Sequence, residues 1–223
     1  MKELEDLIRS GWTGLSDDAI ARIVRFYELL LDENTRQNLT RLTSPQDFYD
    51  GHLEDVKHLL DSGLLTYPAL DLGSGGGVPG LLAAAAQPAE WILCDSEKSK
   101  AEFLRLTAEK LGLSQVSTFA GRGEAYLRSN SVSCIVARAV GPVDRVYAWL
   151  EQCSTWNKLI LLKGPGWDAE WAAFVLTKHR NALRVSDVHD YSVSKLEKIR
   201  KIVVLERVPR GTTNETRGLR SST

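Results

Sequence analysis

The chain has 223 residues, of which 43% are hydrophobic and 26% charged, with a formal net charge of -1. That length suits one sizeable α/β domain plus an accessory element. The near-neutral balance by itself says nothing for a nucleic-acid partner. The charge is unevenly placed: residues 1–60 hold 7 basic and 12 acidic groups, and residues 195–223 hold 8 basic and 3 acidic. A basic C-terminal face therefore allows local phosphate contact. No apolar run approaches the roughly 18 residues of a membrane span, and nothing at the N-terminus resembles a signal peptide. Cys94, Cys134 and Cys153 lie far apart without metal-ligand spacing. Buried thiols in a reducing cytoplasm, with no metal and no membrane, are expected.

In chain order, residues 1–9 predict a short charged helix with Leu4, Leu7 and Ile8 on one side. Ser16 is a suitable N-cap, with Asp17 and Asp18 in the first turn to meet the helix dipole. Ile20, Ile23, Val24, Tyr27, Leu30 and Leu31 then repeat at helical spacing to about Glu33. After a loop at Pro45, residues 46–60 resume a helical pattern through Phe48, Leu53, Val56, Leu59 and Leu60. Residues 1–64 thus read as an N-terminal helical cap.

From residue 67 the rhythm becomes strand and helix. Strands are predicted at 68–72, 91–95, 116–120, 134–139 and 158–163. Helices are predicted at 78–86, 98–111, from Pro142 to about 152, and at 168–180, with a short segment at 123–128. Five short apolar strands with helical crossovers predict a mostly parallel, doubly wound sheet, Rossmann-like, with helices on both faces. Extended stretches at 184–189 and 200–207, joined through the polar segment 192–198, predict an antiparallel edge hairpin. The core domain is expected over 65–208, and a Gly/Thr/Ser/Arg-rich tail at 209–223 is expected to be disordered.

The chemistry gathers around the first strand. Asp71 is followed by glycines at 73, 75, 76, 77 and 80 and a small apolar run, the order of strand, tight turn and helix. Such glycines let backbone N–H groups approach a ligand. Gly75-x-Gly77-x-x-Gly80 fits the dinucleotide pattern, which leaves a nicotinamide-dependent oxidoreductase open. The acid two residues before Gly73 points instead to an S-adenosylmethionine (SAM) site. Asp71 can serve turn amides or the ligand's amino group. Asp95, closing the second strand, is placed to take a ribose diol. Further strand ends carry Gly123 and Glu124, Arg138, and Lys163. Arg138 interrupts an apolar run, so burial requires a partner such as Glu124 or Asp71, or an exit at the strand's mouth. Lys163 follows the same logic. His52 and His58, six apart with no acid–cysteine cluster near them, do not suggest a metal site.

At these residues the chain resembles one family, the bacterial 16S rRNA guanine-N7 methyltransferases, formerly called glucose-inhibited division protein B. Asn34-x-x-x-Asn38-Leu39-Thr40 and His52-x-x-Asp55 resemble its leader motifs. Asp71-x-Gly-Ser-Gly-x-Gly-x-Pro79-Gly80 resembles its SAM loop. Leu93-x-Asp95-Ser96 with Phe103-Leu104, Arg138-Ala139, Leu162-Lys163-Gly164 and Arg200 before Ile-Val-Val resemble later blocks. The likeness spans about residues 16–207. It departs at Glu33, Gly51, Val56 and Ser99, where the family usually has an aromatic, Arg, Ser and Lys.

The resemblance implies a class I SAM-dependent methyltransferase acting on 16S rRNA or the small ribosomal subunit. It places SAM against Gly73 and Val78, with the adenosine end near Gly123 and Glu124 and Arg138 in the cofactor region. Asp95 is added from its strand-end position. Guanine N7 carries a free lone pair, so no catalytic base is expected. Lys163, Arg200 and Lys201 are expected on the rim facing RNA, and a monomer is expected. A SAM-dependent enzyme or SAM-binding protein with another substrate remains the second alternative.

Overall fold

The computed structural model describes residues 1–193 and 199–208. Part of the hairpin connection and the tail expected to be disordered, 209–223, lie outside the described residues. Helices come first: α1 (Lys2–Gly11), α2 (Asp17–Gln37), α3 (Pro45–Phe48), a π-helical turn (Tyr49–Leu53) and α4 (Glu54–Asp61). Then follow β1 (Ala69–Leu72), α5 (Gly80–Ala86), β2 (Trp91–Asp95), α6 (Lys98–Lys110), β3 (Val116–Ala120) and α7 (Gly123–Leu127). The chain continues through β4 (Cys134–Arg138), α8 (Val143–Leu150), β5 (Lys158–Lys163), α9 (Trp167–Phe174), β6 (Leu183–Ser192) and β7 (Ile199–Arg207).

The strands form one sheet in the order β3-β2-β1-β4-β5-β7-β6. The first five are parallel, and β7 runs antiparallel to both β5 and β6. This is the SAM-methyltransferase-like architecture expected, edge hairpin included. β1, in the middle, is buried at all four positions, which is why it reads as a continuous apolar run broken only by Asp71.

One core lies on each face. On one, α5 is buried along its whole length between the sheet and the leading helices. Its sequence, Gly-Leu-Leu-Ala-Ala-Ala-Ala, is apolar all round for that reason, and its small residues let α2 approach closely. Arg22 of α2 donates through Nε to the Ala85 carbonyl at 2.9 Å, satisfying a carbonyl at the end of α5. On the other face, Tyr147, Trp156, Trp167 and Phe174 pack with the aliphatic residues of β4 and β5. Ser16 caps α2 as expected, accepting from Ala19 N at 3.2 Å.

Two helices differ from expectation. Residues 46–60 are not one α-helix, because Tyr49–Leu53 opens into a π turn with the Glu54 amide bonded to the Tyr49 carbonyl. All five residues of that turn are buried. At Gly51 a Cβ would come within 2.2 Å of Leu42 Cδ1, so the Leu42 side chain packs directly over the bare backbone there. The helix expected over 168–180 stops at Phe174. Thr177 Oγ1 donates to the Phe174 carbonyl at 2.8 Å and accepts from His179 N at 3.1 Å, taking over the helix end.

Candidate active site

The carboxyl ends of β1, β2, β3 and β4 meet where the strand order reverses on either side of β1, the place where open α/β sheets bind ligands. The turn after β1 is fixed from beneath. Gly73 N and Ser74 N both donate to the Cys94 carbonyl of β2 at 2.9 Å. Asp71, 1% exposed, accepts from Gly80 N through Oδ2 at 2.9 Å, so it ties the start of α5 to β1. Asp71 lines neither cavity described below. Of the two roles left open by the sequence it takes the turn amide, because Gly80 and Leu93 enclose it. Burial pushes its carboxyl up to about 6, against the opposing bond from Gly80. Oδ1 has no hydrogen-bond partner among the described residues.

Asp95 works from the next strand. Its Oδ2 accepts from Gly75 N and its Oδ1 from Glu97 N, both at 2.9 Å. Each oxygen keeps a further lone pair. Gly73 has φ of +73°, and a Cβ there would come within 2.6 Å of Val140.

Two cavities open around this turn and share Gly73 and Val140 in their walls. The first, about 310 Å³, is lined among others by Gly73, Asp95, Gly123, Glu124 and Trp149. The Arg122 guanidinium lies 5.6 Å from the centroid of the Trp149 ring and pairs with Glu124. The second, about 220 Å³, lies between the glycine turn and the leading helices, and Leu39, Thr40, His52, Val78 and Arg138 help to line it. The structure thus brings Gly73, Asp95, Gly123 and Glu124 to one cavity and Gly73, Val78 and Arg138 to its neighbour.

Arg138 ends β4, and the next residue, Ala139, has φ of +58°, a left-handed conformation costly for any residue with a Cβ. The Arg138 guanidinium reaches neither Glu124 nor Asp71. Nη1 lies 3.2 Å from Asp55 Oδ2, and Nη2 lies 2.8 Å from His52 Nδ1. Asp55 also takes the Tyr191 hydroxyl at 2.7 Å and the Arg200 guanidinium. Leader, central strand and edge hairpin thus meet in one buried cluster. Burial, followed by the charge of Arg138, pushes His52 down to about 3, so it is neutral. Burial likewise pushes the Tyr191 hydroxyl up.

The cations expected on an RNA rim are engaged with acids. Arg200 is turned inward to Asp55. Lys163 bonds the Gly141 carbonyl at 3.0 Å and Glu170 at 2.7 Å, and Glu170 accepts from Val143 N at 2.6 Å. Both cations, expected on the rim, are thus engaged in ion pairs, which cost less than a lone buried charge. Lys201 pairs across the hairpin with Asp190 at 3.0 Å. Among the described residues no His/Cys/Asp/Glu group is arranged for a metal.

Sequence reasoning gave no role to Trp149, Arg122, Thr40 or Asp55. A signal existed for two of them, since Asn34 and Thr40 share a polar motif and His52-x-x-Asp55 places two polar groups on one helical face. Nothing local marks Trp149, which comes from the far helix α8.

A family model described as GidB, rRNA small subunit methyltransferase G, matches residues 19–203. A ribosomal RNA small subunit methyltransferase G from Solibacter usitatus is 33% identical over 180 residues, covering 78% of this chain and 85% of that protein. One from Syntrophomonas wolfei is 33% identical over 193 residues, covering 82% and 87%. Among solved structures, a mutant of MtNAS in complex with S-adenosylmethionine has a TM-score of 0.57 at 17% identity, covering 93% of this chain and 89% of that one. Magnesium protoporphyrin IX methyltransferase from Synechocystis PCC 6803 with bound SAM has a TM-score of 0.53 at 16% identity, covering 88% and 100%. The structural likenesses bear on the fold alone.

Proposed function

The chain belongs to the rRNA small subunit methyltransferase G family, and we propose that its two joined cavities carry SAM-dependent methylation of guanine N7 in 16S rRNA. The observation that carries the reading is the pairing of a carboxylate-lined cavity with a second, polar cavity across one glycine turn. Concave sites of about 300 Å³ and more are the usual scale for such ligands. The residues fit the cofactor. Asp95 has spare lone pairs for two vicinal hydroxyls, Trp149 offers a flat wall beside Gly123 for a base, and a side chain at Gly73 would collide with Val140 in the wall of both cavities. The antiparallel β7 where a dinucleotide fold would have a further parallel strand supports SAM over a nicotinamide.

When bound, SAM supplies an electrophilic methyl group on a sulfonium. The chain's part is placement. The glycine turn, held by Asp71 and Asp95, would carry the cofactor across both cavities, its adenosine end at Asp95, Gly123 and Glu124 and its other end toward Val78 and Arg138, so that an acceptor base can meet the methyl group in line. Held by the turn at Gly73 and by Asp95, SAM would supply its methyl group to the N7 lone pair and leave as the neutral thioether, the positive charge passing to the purine. No proton is lost, so no general base is required. For RNA phosphates, Arg41 beside Thr40 and Arg145 in the first turn of α8 are exposed. Neither makes an ion pair among the described residues, so they replace Lys163 and Arg200 on the proposed rim.

The test has two arms. Equilibrium titration should give SAM binding and no NAD binding, and labelled SAM should transfer its methyl group to small subunits or to protein-free 16S rRNA. Tight NAD binding without SAM binding, or SAM binding without transfer to either RNA, would overturn the reading. Gly73→Asp should abolish SAM binding by filling the turn; unchanged affinity on titration would contradict that placement.

A further inference from the structure

Thr40 lines the second cavity, and its neighbours fix the direction in which its hydroxyl can bond. A guanidinium has only donors, so Arg138 Nη2, 2.8 Å from His52 Nδ1, makes that nitrogen an acceptor. The proton of the neutral ring therefore sits on Nε2, which donates to Thr40 Oγ1 at 2.9 Å. The 3.2 Å contact of Nδ1 with the Gly51 carbonyl then carries no proton. Leu42 N also donates to Thr40 Oγ1, at 3.0 Å. Both lone pairs of the hydroxyl are used, and its one proton goes to no acceptor among the described residues. Thr40 N donates to Asn34 Oδ1 at 2.8 Å, which holds the residue in place. The charge behind this wall also has one sign. Asp55 is in direct ion pairs with two guanidinium groups, those of Arg138 and Arg200, and His52 is neutral. Asp71 makes an ion pair with neither among the described residues. The cluster thus holds one positive charge more than its own acid cancels.

We propose that Thr40 is a cofactor-binding residue, donating its hydroxyl proton to the carboxylate at the amino-acid end of SAM. The proposal rests on the SAM reading above and deepens it. With the adenosine end at Asp95, Gly123 and Glu124, the amino-acid end extends past Gly73 toward Val78 and Arg138, into the cavity that Thr40 lines. That end carries an ammonium, which only donates, and a carboxylate, which only accepts. A hydroxyl compelled to donate pairs with the carboxylate; exchanging the two groups would set two donors against each other. The surplus positive charge of the Arg138 and Arg200 cluster favours the same orientation. Arg138 is itself occupied, with Nη2 on His52 and Nη1 beside Asp55. It therefore acts by charge and by fixing the imidazole, while the neutral hydroxyl makes the bond. His52 and Arg138 are thus positioning residues for Thr40.

The experiment titrates the wild-type chain, Thr40→Val and Thr40→Ser with three compounds. These are SAM, decarboxylated SAM, which keeps the ammonium without the carboxylate, and 5′-methylthioadenosine, which lacks the whole amino-acid end. Thr40→Val should weaken SAM binding roughly 10- to 100-fold, the scale of a hydrogen bond to a charged group. It should leave the affinity for the other two compounds within about twofold of wild type, a selectivity that a merely structural role would not produce. Thr40→Ser should restore most of the SAM affinity. Unchanged SAM affinity in Thr40→Val, an equal loss in Thr40→Ser, or an equal weakening of decarboxylated SAM or 5′-methylthioadenosine would overturn the assignment. Absence of SAM binding by the wild type would overturn the functional reading itself, and the assignment with it.

Discussion

Asp71 and His52 are both buried at the site, and burial moves them in opposite directions. Asp71 goes from an ordinary value near 3.8 up to about 6, so the folded state holds a proton that the unfolded chain has released. Its contribution therefore lowers stability as pH rises from about 4 to 6. His52 goes from 6.5 down to about 3, so the unfolded chain binds the extra proton and stability falls as pH drops below about 6.5. Between pH 4 and 6 the two slopes oppose each other. Asp71→Asn should steepen the rise of stability with pH in that window, and His52→Gln should flatten it. Urea unfolding at pH 4, 5 and 6 measures both, and slopes shifted in the same direction would contradict the burial argument. At this scale the sequence was legible where a residue serves its own turn, as with Gly73, whose φ of +73° fits the tight glycine turn expected after the first strand. Arg138 was flagged as needing a partner, but the partner, Asp55, is 83 positions away in the leader, and no local pattern names it.

The element that decides how the two cavities meet is the connection from β4 to α8. It passes through Ala139 in the left-handed region and Val140 in the wall of both cavities, and Lys163 and Glu170 hold it from the next strand and helix. The sequence placed Lys163 at a strand end, where a free cation and a clamp look the same. Only the position of Glu170, one turn into α9, distinguishes them. Lys163→Met keeps the aliphatic stem while freeing Glu170 and the Gly141 carbonyl. The expected outcome is methyl transfer slower by roughly tenfold through misplacement of Val140, with thermal stability reduced by only about 1–2 kcal/mol. A variant transferring at the wild-type rate would show that the clamp does not set the site. The π turn is a second case. Helical periodicity continues through 46–60, and the extra residue of the π turn is invisible in it, as is the Leu42 side chain that packs over Gly51 from outside the segment.

Across the whole molecule, the mostly parallel sheet with helices on both faces was readable because each strand is a short apolar run between turn signals, and the edge hairpin followed from its two extended stretches. The second cavity was not, since its walls come from segments about 100 residues apart. What joins them is Asp55, which receives Arg138 from the central sheet and Tyr191 and Arg200 from the edge hairpin. Removing that charge leaves two guanidinium groups in the interior without a counter-charge. Asp55→Asn is expected to cost on the order of 2–4 kcal/mol, a fall of roughly 5–10 °C in melting temperature for a chain of this size. Calorimetry showing an unchanged transition would mean the cluster is not what couples leader, sheet and hairpin. The central claim, that these parts assemble a pocket for methylating guanine N7 in small-subunit RNA, is tested most directly by the product. Unmethylated small subunits treated with the chain and SAM, then digested to nucleosides and analysed by mass spectrometry, should yield N7-methylguanosine in about one copy per subunit. A methylated adenosine, a guanosine methylated at another atom, or no methylated nucleoside would contradict it.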